Sequence, residues 1–580
     1  MRFCFQETEK SLVPTRALPP SAGRNGMSKS TYPVPYEMLR KWATKTPDKV
    51  YLRQPVDRVM HEKTWAQVHD EVLRFAAALR SLGLKKGDVV AILGKNTAEW
   101  FISDFAIVAA GMIPAPIYFT AGTDTIRFIL GHSGAKAIIL GKLDDVKAAR
   151  EAIPEGMTTI SQPYDTLPCD HHMTDLIAAN NPLAQVEQPS MDDIFSLVYT
   201  SGTTGNPKAI VTTFRNIGYG AEVAAKHLHY TENDRLVSYL PLAHITERAV
   251  LQYAGLYGGC TVSFTETLAT FPEDVRNASP TVFISVPRLW MKFQSGVLAK
   301  MPQNKLDWML RVPILGGIVK KKIKAQLGLE NARLCASGAA PISPAVLQWF
   351  HKLGINISEG WGMSETTGVS TVNYPFKKQK IGTVGSPMKG THLKISEEGE
   401  LLIGGDGIVS QYYKDPEKSA ETFRDGWLHT GDRGEIDADG CLRITGRVKE
   451  LFKTGKGKYV APVPIESLLA ENPYVEQICV TGLGLPQPVA IVVMADQGSH
   501  HHLQETSDEV SGLTETLKNT NSRLEAHEKL SHIIVARDQW TIENGLLTPT
   551  LKMKRDLIEK KYADIIAKPS KNSVVIEQTL

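Results

Sequence analysis

Ten residues, Tyr199 to Lys208, read YTSGTTGNPK and concentrate more chemistry than any other stretch of the chain. Hydroxyls on Thr200, Ser201, Thr203 and Thr204 stand beside a single lysine, Lys208. Gly202 and Gly205 let the backbone turn with its N–H groups pointing inward. A nest of that kind suits the oxygens of a polyphosphate. The Walker A pattern requires Gly-Lys-Ser/Thr opening a helix. Here Pro207 precedes the lysine and β-formers follow it, which makes this a phosphate loop of another kind. Taken alone, the same residues also read as a polar hairpin tip.

Further groups that could do chemistry follow in order. YLPLAHITER, Tyr239 to Arg248, places His244, Glu247 and Arg248 in an apolar region. They read either as satisfied polar groups at a helix start or, for His244, as a side chain facing a substrate pocket. ASGAAPI, Ala336 to Ile342, is small enough to let a flat ligand lie against backbone. SEGWGMSETT, Ser358 to Thr367, offers the aromatic face of Trp361, close approach at Gly362, and the carboxylate of Glu365 for a hard cation. LHTGDRGEID, Leu428 to Asp437, presents Asp432 in a glycine-flanked turn apt for a ribose diol, and ITGRVKE, Ile444 to Glu450, follows. KTGKGKYVAP, Lys453 to Pro462, is a second glycine-rich loop, strongly basic. NGLLTPTLKMKRDLI, Asn544 to Ile558, sets Lys552 just past a proline turn. His500, His501 and His502 read as an exposed loop, since no other metal ligands stand near them at suitable spacing.

The elements that must position these groups alternate. Trp65, Val68, Val72, Phe75, Leu79 and Leu82 recur at helical spacing, with Thr64 to cap the start and Gly83 the end. Val89–Leu93 reads as a buried strand, 96–110 as helix, 113–118 and 137–140 as strands. Such alternation predicts parallel α/β layers. Ile194 to Val198 and Ile210 to Thr213 predict strands either side of the phosphate loop, and the polar segment 161–190 a surface connection before it. Beyond residue 462 a smaller α/β segment is expected, with strands near 477–480 and 489–494 and a polar, charged helix over 507–531. Trp308 to Leu327 is apolar with a cationic cluster of Arg311, Lys320, Lys321, Lys322 and Lys324. It reads as a stretch that lies on an anionic membrane or as a solvated lysine face.

At 580 residues the chain has room for two or more domains. Its 42% hydrophobic and 22% charged residues are ordinary for a globular protein. A net charge of +3 gives no footprint for nucleic acid. The 6 cysteines are scattered without a CxxC, so neither a disulfide framework nor a zinc site is expected, and a reducing compartment fits. No stretch is expected to span a bilayer: 101–119 carries Asp104 and two prolines and reads as buried helix plus strand. Residues 1–30 lack an apolar signal segment and read as a disordered leader, or as a start assigned upstream of Met27. The localisation expected is cytoplasmic, with peripheral attachment to the inner face of a membrane left open, as is the oligomeric state.

In this order and spacing, the motifs resemble the adenylate-forming superfamily of acyl-CoA synthetases, firefly luciferases and peptide-synthetase adenylation domains. The resemblance covers roughly Pro35 to Tyr562. LPLAHITER, VPRLW (Val286 to Trp290) and LLTPTLKMKR look most like long-chain fatty-acid–CoA ligases, the bubblegum-type subgroup included. The resemblance implies an α/β fold. Its large N-terminal AMP-binding domain, 31–448, would hold layered α/β subdomains and a small β-barrel-like part, with a smaller, mobile α+β domain over 449–580. It implies ATP, Mg²⁺ and coenzyme A as reactants and cofactor, and a fatty acid as substrate. Thr200, Ser201, Gly202, Thr203, Thr204, Gly205 and Lys208 would wrap the triphosphate, with Thr200 and Glu365 at the metal. Gly338, Ala339, Ala340, Trp361, Gly362, Met363 and Ser364 would house adenine and shape the acyl site. Asp432 would bind ribose, supported by Arg447. Lys453, Gly455, Lys456, Gly457 and Lys458 would serve coenzyme A, Lys449 the hinge, and Lys552 adenylation. Where the family often has tyrosine this chain has Trp361, and Thr550-Leu551 replaces the usual Ser-Gly before the terminal lysine, which keeps Lys554 as the alternative to Lys552.

Overall fold

The structure is a computed structural model that describes residues 31–164, 166–200, 206–472, 474–495, 508–542, 544–548, 552–570 and 572–577. The leader, Ser201 to Gly205 of the phosphate loop, the three histidines at 500–502 and Thr550-Leu551 lie outside the described residues.

The Trp65–Ser81 helix starts where expected: the Thr64 hydroxyl accepts from the Gln67 N–H, and Gln67 reaches back to the Thr64 N–H. That reciprocal box satisfies two otherwise orphaned donors. Its apolar face packs on the Ala98–Ala109 helix, whose start Thr97 caps. Beneath lies a five-stranded parallel sheet in the order Ile113–Ile117, Val89–Leu93, Ala137–Leu140, Thr158–Ser161, His171–His172. The middle strands are apolar on both faces, as a sheet covered on both sides requires. The segment 161–190 is therefore more than a surface connection. His171–His172 adds the edge strand, and the Met173–Ala179 helix follows it. Two backbone residues suffice for an edge strand, too few to leave a periodic signal.

The Ile194–Thr200 and Lys208–Thr213 strands form an antiparallel hairpin, tied to the parallel sheet where the Ser196 hydroxyl donates to Pro114 O. A second core is built on the parallel strands Val282–Ser285, Leu334–Ser337 and Ile357–Trp361, extended antiparallel by Thr371–Val372 and Ser386–Pro387. The small all-β part is an antiparallel sheet of His392–Ile395, Glu400–Gly404, Trp427–Ile436, Phe423–Arg424 and Leu442–Arg447.

The chain then enters a smaller α+β unit. Its sheet orders Val475–Thr481, Val489–Met494, Ile533–Val535 and Val574–Ile576, with helices on both faces. The charged segment 507–531 is helical only over Asp508–Ser522, and it buries Leu513 and Leu517 against this sheet. Trp308 to Leu327 is also two elements, the Gln303–Arg311 and Pro313–Leu327 helices. Pro313 has no N–H to continue the first helix and its fixed φ suits the first position of the second.

Candidate active site

The site lies where the hairpin, the open ends of the second sheet, the all-β sheet and the C-terminal unit meet. Thr200 and Lys208 are cross-strand partners at the mouth of the hairpin. The Lys208 ammonium lies 5.7 Å from the Tyr412 ring centroid. Partial burial, then the neighbouring Lys418 and Lys449, hold it below the usual lysine range, opposed by Glu365 and Asp415. A cation so placed, crowded by other cations, is primed for an added anion.

Leu334–Ser337 and Ile357–Trp361 run parallel with Ser337 opposite Glu359, so their C-terminal ends bring Gly338–Ala340 beside Trp361–Ser364. Crevices at such ends are where open α/β sheets bind ligands. Ala339 adopts φ +67°, and Ala339 and Ala340 are exposed. Gly362 has no room for a side chain, since a Cβ there would lie 1.7 Å from Gly368 O. Met363 and Ser364 are half-buried, Ser364 opening the 3₁₀ turn that carries Glu365.

Asp432 does not occupy a turn as the glycines predicted. It lies inside the Trp427–Ile436 strand, directly opposite Arg447 on Leu442–Arg447. Gly431, at φ +72°, and a bulge at Arg433/Gly434 absorb the backbone irregularity within the strand. Arg447 Nε approaches Asp432 Oδ1 at 2.9 Å, and the Trp361 indole N–H donates to Oδ2 at 3.0 Å. Burial nevertheless raises the Asp432 pKa, against the pull of Arg447. Trp361 thus does more than offer a ring: its N–H fixes the orientation of the carboxylate.

The Tyr412 hydroxyl donates to Glu365 Oε1 at 2.9 Å, leaving Oε2 for another partner. Among the described residues no three His, Cys, Asp or Glu side chains cluster as a metal cage. One carboxylate and one hydroxyl, from Glu365 and Thr200, are nonetheless a donor set that fits Mg²⁺, which binds through one or two carboxylates plus substrate phosphates and waters.

Lys552 enters this cleft from the C-terminal unit. Its N–H donates to the Thr548 hydroxyl and its carbonyl accepts from the Thr548 N–H, while Leu547 bridges Met553. The side chain stays open to solvent, yet protein surrounds its ammonium closely enough that desolvation, then Arg447, depresses its pKa; Glu365, Asp432 and Glu450 act the other way. Lys554, two residues on, stands at the N-cap position of the Arg555–Lys561 helix without a side-chain cap, its N–H on Leu546 O. Within the unit Arg555 pairs with Glu466 at 2.6 Å and with Glu450 at 3.4 Å, and an ion pair of Arg288 with Glu476 ties the unit to the N-terminal part. Lys453, Gly455, Lys456, Gly457 and Lys458 are exposed on the hairpin of Phe452–Lys453 and Tyr459–Val460.

The two readings of YLPLAHITER divide between its residues. His244 is half-buried, and its Nδ1 accepts from the Thr246 N–H, which leaves Nε2 to carry the proton when the ring is neutral. Burial, then the Lys552 charge, pushes its pKa down to about 4. Glu247 and Arg248 turn inward as structure. Glu247 accepts from Ser238 at 2.8 Å and from the Tyr239 N–H at 3.0 Å, and burial pushes its pKa up to about 8. Arg248 pairs with the fully buried Asp104, which also accepts from Tyr253 at 2.6 Å and Gln252 at 3.0 Å. Two lone charges in apolar stretches demand a common partner, a signal present in the sequence and not used to pair them. Tyr412 was not foreseen, and nothing in its local pattern marks it.

Residues 39–413 match the family described as AMP-binding enzyme, and residues 451–572 match the AMP-binding enzyme C-terminal domain. The chain belongs to this family. It is 31% identical to the long-chain-fatty-acid–CoA ligase FadD15 of Mycobacterium bovis, over 90% of this chain and 94% of that one. It is 31% identical to long-chain-fatty-acid–CoA ligase 5 of Mus musculus, over 86% and 83% respectively. In fold it matches the crystal structure of the anthranilate CoA ligase AuaEII in complex with anthranoyl-AMP, with a TM-score of 0.76 over 93% of this chain and 98% of that one, at 24% identity.

Proposed function

We propose that this ligase activates a long-chain fatty acid with ATP to an acyl-adenylate, then transfers the acyl group to coenzyme A, releasing pyrophosphate and AMP. The observation that carries the reading is the convergence on one cleft of Lys552, Arg447, Asp432 and Glu365, with Lys208 beside Glu365. The long-chain assignment rests on the named relatives, which agree over most of the chain.

A fatty carboxylate, with a pKa near that of glutamate at about 4.3, is already ionised at neutral pH and needs no general base. The obstacle is an anion approaching a polyanion. Lys208 and the hydroxyl of Thr200 meet the phosphates at the hairpin mouth. Lys552 bridges the carboxylate and the α-phosphate, supplying position and positive charge. Glu365 and Thr200 would hold Mg²⁺, which when bound would supply charge neutralisation for the pyrophosphate leaving group. Asp432, aimed by Trp361 and Arg447, takes the ribose hydroxyls, and Gly338–Ala340 flank adenine.

Lys552 stands where the thiol must attack in the second step. A C-terminal domain beginning at Lys449 therefore rotates, withdrawing Lys552 and presenting the basic loop of Lys453, Lys456 and Lys458 to the phosphates of coenzyme A. The test is fatty-acid-dependent pyrophosphate release, followed by AMP release on adding coenzyme A, across acids from acetate to stearate. Each buried methylene is worth about 0.8 kcal/mol, so efficiency should climb with chain length until the acyl site is full. Highest efficiency with acetate or an aromatic acid overturns the long-chain assignment. Pyrophosphate release without any acid dependence overturns the activity.

A further inference from the structure

The helices Gln303–Arg311 and Pro313–Leu327 make a hairpin that packs on the second core. Leu306, Val319 and Ile323 point inward and are buried. The outer side is not polar. Trp308 is 60% exposed, Val312 40%, Ile314 81% and Ile318 60%. These are four of the thirteen exposed large hydrophobics among the described residues, and they fall within eleven residues of chain. Apolar exposure gathered in this way marks an interaction surface, where single scattered residues do not.

Charge identifies what it meets. Residues 303–327 hold six cations, Lys305, Arg311, Lys320, Lys321, Lys322 and Lys324, against one acid, Asp307. Lys305, Arg311, Lys321 and Lys322 are exposed, and Lys321 has only a loose ion pair with Glu330, at 3.8 Å. Lys324 turns back toward the protein, its Nζ 3.2 Å from where a Cβ on Gly354 would sit, and does not join the outer face. The apolar first turns of Pro313–Leu327 thus lead directly into a cationic turn. No helix among the described residues is long and apolar enough to cross a membrane. An amphipathic pair with exposed apolar side chains and flanking lysines lies instead in the headgroup plane. A second copy of the chain is a poorer occupant, because a two-fold contact would set the exposed Lys305, Arg311, Lys321 and Lys322 against the same four cations.

We infer that this hairpin docks the protein on an anionic lipid bilayer, with Trp308, Ile314 and Ile318 entering the interface and Lys321 and Lys322 facing acidic headgroups. The inference stands apart from the substrate reading, since it concerns binding alone. The experiment is cosedimentation of the purified full chain with phosphatidylcholine vesicles, with and without phosphatidylserine, at low and high salt. Binding should require phosphatidylserine and fall with salt. Changing Lys321 and Lys322 together to Gln should lower the apparent partition coefficient on the order of 10-fold or more, and Ile314→Ser with Ile318→Ser should lower it comparably. Because all four side chains are exposed, both variants should keep the native melting temperature and the native rate of pyrophosphate release with a short, water-soluble acid. Equal partitioning by the native chain and both variants overturns the inference, as does binding indifferent to phosphatidylserine. A dimer in light scattering that Ile314→Ser with Ile318→Ser dissociates also overturns it, because the face would then be a contact between copies.

Discussion

Replacing Lys552 by alanine removes one cation from a cleft that keeps two others, Arg447 and Lys208. Overall attraction for ATP therefore survives, and what is lost is the aimed donor between carboxylate and α-phosphate. Removing one such donor costs about 10²–10³-fold in rate, roughly 2.7–4 kcal/mol. On the proposed alternation, in which the unit carrying Lys552 withdraws before thioester formation, the loss should fall on adenylate formation alone. The assay measures the halves separately: acid-dependent pyrophosphate release, then thioester formation from supplied acyl-adenylate and coenzyme A. Lys554→Ala is the internal control, its residue standing at the N-cap position of the Arg555–Lys561 helix with no side-chain cap to lose. A second readout does not depend on turnover. The Lys552 charge is one of the two causes that depress the His244 pKa from its ordinary value to about 4, so in Lys552→Ala that pKa should rise while burial keeps it below the ordinary value. Nuclear magnetic resonance titration of the His244 ring follows it. Selective loss in Lys554→Ala instead would move the adenylation role two residues along. Equal loss of both halves in Lys552→Ala would refute the alternation, and an unmoved His244 would refute the placement of Lys552.

Because burial and Arg447 depress the Lys552 pKa, its charged form is lost as pH rises through a value below that of an ordinary lysine; Lys552→Arg, permanently charged, should extend the alkaline limb of the adenylation pH profile even at reduced rate. Changing Lys453, Lys456 and Lys458 to Ala should raise the apparent KM for coenzyme A and leave adenylate formation near native, as separate half-reaction kinetics would register. Asp104→Ala strands the buried guanidinium of Arg248 and should cost about 3–5 kcal/mol in denaturant unfolding followed on the N-terminal domain, whereas loss under 1 kcal/mol would mean that the pair is replaceable. Glu247, with a pKa raised to about 8, holds its proton when folded and releases it when unfolded between about pH 4.3 and 8; stability falls by up to about 1.4 kcal/mol per pH unit across that window, and Glu247→Gln should flatten the slope.

Where a feature depends on local chemistry, the sequence disclosed it. The Thr64 box, the all-apolar Val89–Leu93 strand and the breaks around Lys208 each follow from side chains within a few residues. The Pro313 break is equally local, but the apolar run on either side masks it. What stayed hidden depends on register. Asp432 and Arg447 lie fifteen positions apart and become partners only once two strands pair, and the glycines that suggested a turn serve to let a strand bulge. Tyr412 finds Glu365 across 47 positions, with no pattern to announce it.

That difference separates the two kinds of residue in the cleft. The groups proposed to face ligand, Glu365, Asp432 and Lys552, sit in short motifs, as expected where reactants fix type and approach. Their supports, Tyr412 on Glu365 and Trp361 on Asp432, are fixed only by reach and by one hydrogen-bond donor. Phenylalanine at 361 keeps an aromatic face but removes the N–H, so one oxygen of a buried carboxylate loses its donor, at a cost of about 1–3 kcal/mol. If Trp361 served only to stack on adenine, Trp361→Phe would leave the affinity for AMP nearly unchanged. If its N–H aims Asp432 at the ribose, the variant should weaken AMP binding by about 10-fold while a 2′,3′-dideoxy analogue, which offers Asp432 nothing to hold, binds both forms alike. Calorimetry with the two nucleotides distinguishes the cases, and equal weakening for both would show that Trp361 acts through the fold and not through the carboxylate.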